Sequence, residues 1–202
     1  IRYASEADEK TAAEGIAASR EKITKIAGTK KAVLPGEYEG KPELVIYTED
    51  VIAICDCLSA CKFTGSFFPG FLPFDETYQA ALFSAGSGIE TSVNTLFKVA
   101  GKVRTLERVY CVREGMTRET DSLPKRFMDK PLTEGSSKGE MLETSKFEKM
   151  KDKYYVLRGW DIATGIPTRE TLEAAGLGDV AKDLEKRGKL PAPSPKGEGS
   201  KE

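Results

Sequence analysis

Apolar side chains recur at spacings of three and four residues along most of this sequence, which is the period of an α-helix. The spacing is most regular between residues 90 and 113 and predicts a long helix there. Few segments alternate between apolar and polar residues with the period of two that is typical of strands. We therefore predict an all-α fold, an irregular multi-helix domain with long loops rather than a regular bundle.

Further helices are predicted from local composition and from capping residues. Asp75 and Thr168 each precede a helix-forming stretch and belong to the residue types that favour the N-cap. In the stretch 43–60 the apolar residues lie on nearly every side of the helix, so we expect this helix to be buried all round. The remaining predicted helices cover residues 4–27, 76–85, 145–157, 169–175 and 178–188.

The residues outside the predicted helices indicate two loops and a C-terminal tail. The stretch 63–74 is rich in Phe, Gly and Pro and predicts an apolar, tightly turned loop. The stretch 114–140 mixes acidic and basic residues and predicts a long loop draped over a surface or a partner, with a solvated or interdomain salt-bridged face. The stretch 191–202 lacks an apolar anchor and predicts a disordered tail. We divide the chain into an N-terminal helix and linker over 1–40, an α-helical domain over 41–190, and this tail.

Charge and composition exclude several classes of protein. The 202 residues contain 31 Lys and Arg against 32 Asp and Glu, so we expect neither nucleic acid nor a membrane surface as a partner. No apolar run approaches the roughly 18 residues that cross a bilayer. The cysteine usage is not that of a secreted disulfide framework and favours the cytoplasm. The chain begins with Ile rather than Met, which we interpret as a processed chain or as part of a longer one.

The cysteines are the main candidates for chemistry, because the chain contains no histidine. Without His there is no Ser-His-Asp triad, no Cys-His pair and no His-based zinc site. Cys55, Cys57 and Cys61 lie within seven residues, but on a helix Cys55 and Cys57 point about 200° apart. The spacing is that of neither a zinc ribbon nor a ferredoxin. Two interpretations stay open, namely buried core thiols or one thiolate donated to a cluster that another segment holds. Cys111, on the long predicted helix, is interpreted as a core residue.

Three stretches occur in an order that resembles a known family. They are DCLSACKF at 56–63, LERVYCVREGMTRETDSLPKRF at 106–127 and YYVLRGWDIATGIPTRETLEAAGL at 154–177. Together they resemble the C-terminal helical region of the tungsten-containing aldehyde ferredoxin oxidoreductase family. The family's pattern in the last stretch is kept at Tyr154, Tyr155, Arg158, Gly159, Trp160, Asp161, Gly165, Pro167 and Thr168. The resemblance covers roughly 43–187 and does not match residues 1–40.

The resemblance implies two cofactor-contacting residues. The family carries an Asp-x-x-Gly-Leu-Cys motif, in which the Asp contacts a pterin and the Cys is the fourth ligand of a [4Fe–4S] cluster. Asp56 and Cys61 stand in those places. A thiolate is the ligand that such a cluster requires, and a carboxylate can accept hydrogen bonds from the N–H groups of a pterin. Ser59 and Ala60 replace the family's Gly and Leu, and a Gly there would let the backbone approach the pterin closely.

The resemblance also implies what this chain does not supply. The family's other three cluster cysteines, the N-terminal sheet domain that cradles its bis-pterin tungsten cofactor, and its active-site Glu and His have no counterpart here. Cys55 and Cys57 match no ligand position of the family and are expected to be core residues. We therefore expect the C-terminal part of a larger enzyme that is inactive alone, and no catalytic residue is identified within this chain.

The implied reaction oxidises a small aldehyde with water to a carboxylic acid. Electrons would pass from a tungstopterin, with tungsten or molybdenum as the metal, through the [4Fe–4S] cluster to ferredoxin. The implied partners are the remainder of the same enzyme (the sheet domain and the cluster-binding segment), ferredoxin and the aldehyde. Two alternatives stay open, which are a related tungstoenzyme that reduces an aromatic-ring thioester and a non-catalytic helical interaction module.

Overall fold

The described secondary structure is almost entirely helical. This computed structural model describes residues 6–62 and 75–192, with side chains from residue 13 onward. In those ranges the elements are α1 (Glu6–Ala27), a 3₁₀ turn (Lys30–Val33), α2 (Lys41–Cys57), α3 (Glu76–Ser87), α4 (Val93–Arg113), α5 (Arg126–Asp129), α6 (Thr144–Arg158), α7 (Arg169–Ala174) and α8 (Gly178–Lys186). They contain no β-strand apart from an isolated bridge between Trp160 and Pro167, so the predicted all-α class is confirmed. None of these described helices is long and apolar enough to span a bilayer.

The residues Ile1–Arg104 form the first of two compact units, and the boundary falls within α4. Its core lies where α2, α3 and the first turns of α4 meet, and the buried members are Ala53, Ile54, Ala80, Leu96 and Ala100. Three of these five are alanines, so the helices approach closely, and larger side chains such as Phe97 and Val103 pack around them. α1 packs against α2.

Helix α2 differs from its prediction in both length and burial. It spans Lys41–Cys57 and ends three residues earlier than predicted. Val51 and Ile54 are buried, whereas Val45 and Asp56 are exposed. The expectation that this helix is buried on all sides is therefore wrong for this chain. Apolar residues do surround the helix, but within its unit the neighbouring helices cover only part of its circumference.

A Schellman motif explains why α2 stops early. Ser59 has a φ of 54°, the left-handed conformation that residues other than Gly adopt at a cost. Its N–H donates to the carbonyl of Asp56 at 3.2 Å, and the N–H of Ala60 donates to the carbonyl of Cys55 at 2.8 Å. These two hydrogen bonds satisfy carbonyl groups that the last helical turn would otherwise leave exposed. They also turn the chain away from the helix before Cys61.

The two predicted N-caps are confirmed. Asp75 Oδ1 accepts hydrogen bonds from the backbone N–H groups of Thr77 and Tyr78. Thr168 Oγ1 accepts one from the N–H of Thr171 at 3.3 Å. Each side chain satisfies amide groups in the first turn of its helix, so local sequence chemistry sets where α3 and α7 begin.

The second compact unit, Thr105–Glu202, has a core of aliphatic side chains. Its buried members are Val109, Val112, Ile166, Leu172, Leu177, Ala181 and Leu184. The end of α4, the turn before α7, and the packed pair α7 and α8 supply these residues. The stretch 114–140 is largely irregular, as predicted, and contains the single short helix α5.

Two predictions lie outside the described residues. These are the apolar loop over 63–74 and, except for residues 191 and 192, the disordered tail over 191–202. The division of the chain at residues 40 and 190 also stays a prediction.

Replacing Ser59 with Gly should stabilise the chain, because Gly adopts a φ of 54° without the clash that a Cβ introduces. We expect the free energy of unfolding, measured by urea denaturation, to rise by about 0.5–1 kcal/mol. Ala18→Gly is the control, since Ala18 is exposed in the interior of α1. A Gly introduced there should lower stability by about 0.5–1 kcal/mol. Equal destabilisation by the two variants would contradict a left-handed Ser59.

Candidate functional site

The end of α2 carries both residues that the sequence predicts as cofactor contacts. Asp56 lies in the last turn of the helix with 59% of its side chain exposed. Cys61 is exposed two residues beyond the left-handed Ser59. Both side chains therefore reach the surface of the first unit from one short segment. Their roles as cluster ligand and pterin contact stay predictions.

Lys62, which follows Cys61, forms an ion pair with Asp56. Its Nζ lies 3.0 Å from Asp56 Oδ1. Because solvent reaches both side chains, the pair is screened and contributes little to stability. Its geometric effect is larger, since it ties the chain after the Schellman motif back to the last turn of α2. Asp56 and the backbone of Cys61 thus belong to one closed segment.

The four cysteines lie in different environments. Cys55 is 2% exposed, and its Sγ accepts a hydrogen bond from Gln79 Nε2 at 3.4 Å, so its predicted core role is confirmed. Cys57 is exposed, so its predicted core role is wrong. The two residues are two helix positions apart and point in nearly opposite directions, and of the two Cys55 is the one that faces the core. Cys111 is partly buried.

No group of three potential metal ligands comes together within residues 6–62 and 75–192. A structural zinc site normally needs four protein ligands, and a [4Fe–4S] cluster normally needs four thiolates. The described part of the chain therefore does not fit a complete metal centre. The exposed Cys61, at a helix end closed by backbone hydrogen bonds, does fit a single ligand to a group that other protein segments hold.

The second unit contains a buried polar cluster that no sequence pattern predicted. Arg108 is 8% exposed and donates from Nη1 and Nη2 to the two carboxylate oxygens of Asp121, at 2.8 and 2.6 Å. Its Nε donates to the carbonyl of Gly165 at 2.8 Å. The hydroxyl of Tyr155 donates to Asp121 Oδ2 at 2.5 Å. The bidentate ion pair joins α4 to the loop 114–140, and the hydrogen bonds of Tyr155 and Gly165 connect this pair to α6 and to the turn that follows α6.

The protonation states in this cluster follow from its contacts. Burial would raise the pKa of Asp121, but hydrogen bonds from Arg108 and Tyr155 outweigh burial and hold that pKa below its usual value. Burial raises the pKa of Tyr155, and the hydrogen bond to the Asp121 carboxylate raises it further. At neutral pH Asp121 is ionised and Tyr155 is a protonated donor. A carboxylate with both oxygens engaged in this way is a structural anchor rather than a general base.

Arg118 forms salt bridges that join the loop 114–140 to α6, whereas the sequence predicted a solvated or interdomain salt-bridged surface. Its guanidinium pairs with Glu148 and Asp152 of α6, each at 2.6 Å. Its backbone N–H donates to the carbonyl of Thr164 at 2.9 Å. These contacts all lie within the second unit, and they explain why a polar loop of this length keeps a fixed path.

The residues that carry the family pattern near the end of the chain form the turn between α6 and α7. Gly159 ends α6 with a φ of 67°. Asp161 Oδ1 accepts hydrogen bonds from the N–H and the hydroxyl of Thr164, at 2.8 and 2.6 Å. Gly165 has a φ of 68°, and a Cβ at this position would lie 2.7 Å from Arg108 Nη2. Each of these pattern residues has a structural role in the turn. Their presence therefore indicates the fold of the second unit and does not indicate a catalytic group.

The first unit contains an apolar cavity of about 270 Å³ between α1 and α2, which no sequence pattern predicted. Two of its lining residues, Lys22 and Tyr47, hydrogen-bond to the carboxylate of Glu76, each at 3.1 Å. Burial raises the pKa of Tyr47 to about 12, so its hydroxyl is a donor at neutral pH. The bonded pairs are 54 and 29 positions apart in the chain, and no local signal in the sequence brings them together.

The fold and the α2 end define a helical domain that presents a thiol at its surface and has no complete metal site among its described residues. The family described as aldehyde ferredoxin oxidoreductase, domains 2 and 3, matches residues 5–177. This chain belongs to that family. The match begins at residue 5 and so reaches further toward the N-terminus than the resemblance in the sequence, which begins at about residue 43.

Two relatives are named as tungsten-containing aldehyde ferredoxin oxidoreductases. The protein of Pyrococcus horikoshii is 32% identical over 138 residues, and that of Pyrococcus furiosus is 30% identical over 142 residues. These alignments cover 68% and 70% of this chain, but 21% and 22% of the relatives. The chain therefore spans about a fifth of the length of the relatives that it matches.

A solved structure has the same fold. The active site complex of benzoyl coenzyme A reductase, in complex with 1,5-dienoyl-CoA, is 31% identical with a TM-score of 0.65. The match covers 79% of this chain and 22% of that one. The fold thus occurs in proteins that are named for different reactions, and by itself it does not select between them.

Replacing Asp121 with Asn should destabilise the chain and change its response to acid. The variant leaves the buried Arg108 without its carboxylate, so we expect the free energy of unfolding to fall by about 2–3 kcal/mol at pH 7. Folding lowers the pKa of Asp121 from 3.8, so its contribution is present above that pH and is lost as the pH falls through the folded value. The free energies of unfolding of the unsubstituted chain and of Asp121→Asn, measured by urea denaturation, should therefore converge as the pH falls below about 4.

Glu119→Gln is the control for this experiment. Glu119 lies in the same loop with an exposed side chain, and its replacement removes the same charge. Its stability should stay within about 0.5 kcal/mol of the unsubstituted chain. The buried network is contradicted if the two variants lose the same stability at pH 7, or if the loss in Asp121→Asn is unchanged at pH 3.

Proposed function

We propose that this chain is the cluster-contacting helical part of a cytoplasmic aldehyde:ferredoxin oxidoreductase with a tungstopterin and a [4Fe–4S] cluster. Cys61 donates one thiolate to the cluster, and Asp56 contacts the pterin. The observation that carries the proposal is an exposed Cys61 just beyond a closed helix end, with no complete ligand set among the described residues. The other ligands and the pterin-binding sheet then belong to the rest of the enzyme.

Burial excludes Cys55 as the cluster ligand, and the family pattern favours Cys61 over Cys57. Cys55 is buried and engaged by Gln79. Cys57 is exposed but stands at no ligand position of the family pattern. Cys61 stands at that position, and the two backbone hydrogen bonds around Ser59 hold the chain that leads to it. A ligand on a fixed segment is positioned more accurately than one on a flexible tail.

Asp56 is suited to a pterin because its carboxylate is an acceptor at the surface. The ring N–H and amino groups of a pterin are donors, and an ionised carboxylate accepts from two of them at once. Lys62 pairs with Oδ1 of this carboxylate and so limits its orientation. Ser59 already has the left-handed conformation that Gly would favour, so this departure keeps the course of the backbone, but its side chain occupies space that a Gly would leave open to the pterin.

The chemistry itself comes from the bound tungstopterin, which supplies the oxidation of one aldehyde and one water to one carboxylic acid, two protons and two electrons. The residues of this chain position the groups. Cys61 would supply one of the thiolates that hold the cluster, and Asp56 would orient the pterin by accepting hydrogen bonds from it. No side chain of this chain transfers a proton in this proposal.

A second candidate is the reduction of an aromatic-ring thioester, which the likeness to benzoyl coenzyme A reductase favours. Asp56 and Cys61 would have the same roles, and electrons would flow toward the substrate. Activity assays of the purified assembly with an aldehyde and with benzoyl coenzyme A distinguish the two reactions. An assembly that contains no tungsten, molybdenum or iron would instead indicate a non-catalytic interaction module.

Replacing Cys61 with Ser should remove most of the cluster from the purified assembly that contains this chain, because a hydroxyl is a poor substitute for a thiolate ligand. The measurements are iron content and the electron paramagnetic resonance of the reduced cluster. Cys57→Ser is the matched control, since that thiol is also exposed on the same segment, and it should keep both. The assignment is wrong if Cys57→Ser loses iron while Cys61→Ser retains it.

A further inference from the structure

Helix α3 presents an apolar patch to solvent. Tyr78 and Leu82 are 52% and 55% exposed, and Ile89, just past the helix, is 62% exposed. Ala85 is exposed as well. Tyr78, Leu82 and Ala85 follow one another at spacings of four and three, so they lie on one face of the helix. We call Tyr78, Leu82 and Ala85 the α3 patch.

The α3 patch lacks charged residues. Between residues 76 and 89 the single charged residue is Glu76. Its carboxylate bonds Lys22 and Tyr47 and is mostly buried, so it does not belong to the exposed face. An exposed helix face normally carries charged side chains, and extended apolar patches are rare on isolated soluble proteins. An uncharged surface with aromatic and aliphatic side chains is typical of the centre of a protein interface.

We infer that the α3 patch packs against the part of the enzyme that this chain does not supply, which rests on the proposed function. The chain spans about a fifth of the length of its relatives, so most of the assembled enzyme is available to cover it. The covering surface is apolar and uncharged at its centre, because a charge facing the patch would be buried without a partner. Small residues on and beside the patch, Ala81, Ala85 and Gly86, let the backbone of the covering segment come close.

The patch belongs to the same compact unit as Cys61. A partner surface that covers α3 therefore fixes the unit whose α2 end presents the cluster ligand. Docking through α3 and ligation through Cys61 are separate contacts of one unit with the rest of the enzyme, and each can be removed without the other.

Photo-crosslinking in the native assembly tests the inference. Benzoylphenylalanine replaces Leu82 in one protein and Lys98, an exposed charged residue of α4, in a control. The assembly is isolated through a tag on this chain, and crosslinked peptides are identified by mass spectrometry. Position 82 should crosslink to family sequence that lies outside this chain, and more strongly than position 98 does. Crosslinks from position 82 to a second copy of this chain, or to nothing, overturn the inference.

A substitution gives an independent result. Leu82→Lys should lower the fraction of this chain recovered in the assembly by about tenfold or more, because the new charge would be buried without a partner. Asn94→Lys places the same charge at an exposed polar position of α4 outside the patch and should assemble normally. Normal assembly of Leu82→Lys overturns the inference. Cys61→Ser separates the two proposals, since it should lose iron but keep the crosslink from position 82.

Discussion

The closure of α2 at Ser59 is the constraint on which the proposed function depends. A left-handed residue and two backbone hydrogen bonds end the helix between the buried Cys55 and the exposed Cys61. Had the helix continued, Cys61 would lie one turn beyond Cys57 on the same face. The observed turn gives Cys61 its own direction while the backbone that leads to it stays fixed. A ligand for a cluster held by other segments needs both properties, namely access from outside and a defined position.

In the second unit, the residues that carry the family pattern have structural roles, and they differ from the residues that we propose as cofactor contacts. The pattern around Gly159 and Gly165 shapes a turn whose carbonyl group Arg108 binds, and Arg108 is itself held by Asp121. These contacts constrain the fold strongly, because a side chain at Gly165 would meet the guanidinium. The similarity that identifies the family thus includes residues with structural roles. These contacts do not distinguish between the two reactions proposed above, aldehyde oxidation and thioester reduction.

Most helices could be predicted from the sequence, because period and caps are local properties. Asp75 and Thr168 bond to amides two or three residues away, so their roles can be read from neighbouring residues. Two features could not be predicted in this way. Ser59 takes a conformation that favours Gly, and local preference alone would not place a Ser there. The pairing of Arg108 with Asp121 and Tyr155 joins residues from three segments, and its existence depends on how those segments pack.

We propose that this chain contributes one sulfur to a cluster built mainly by other protein segments. A high-resolution structure of the intact, metal-loaded assembly tests it most directly, because it locates each cysteine relative to iron. We expect Cys61 Sγ to be bonded to iron and Cys57 Sγ not to be. A cluster whose four ligands all come from other segments, or one ligated by Cys57, would contradict it.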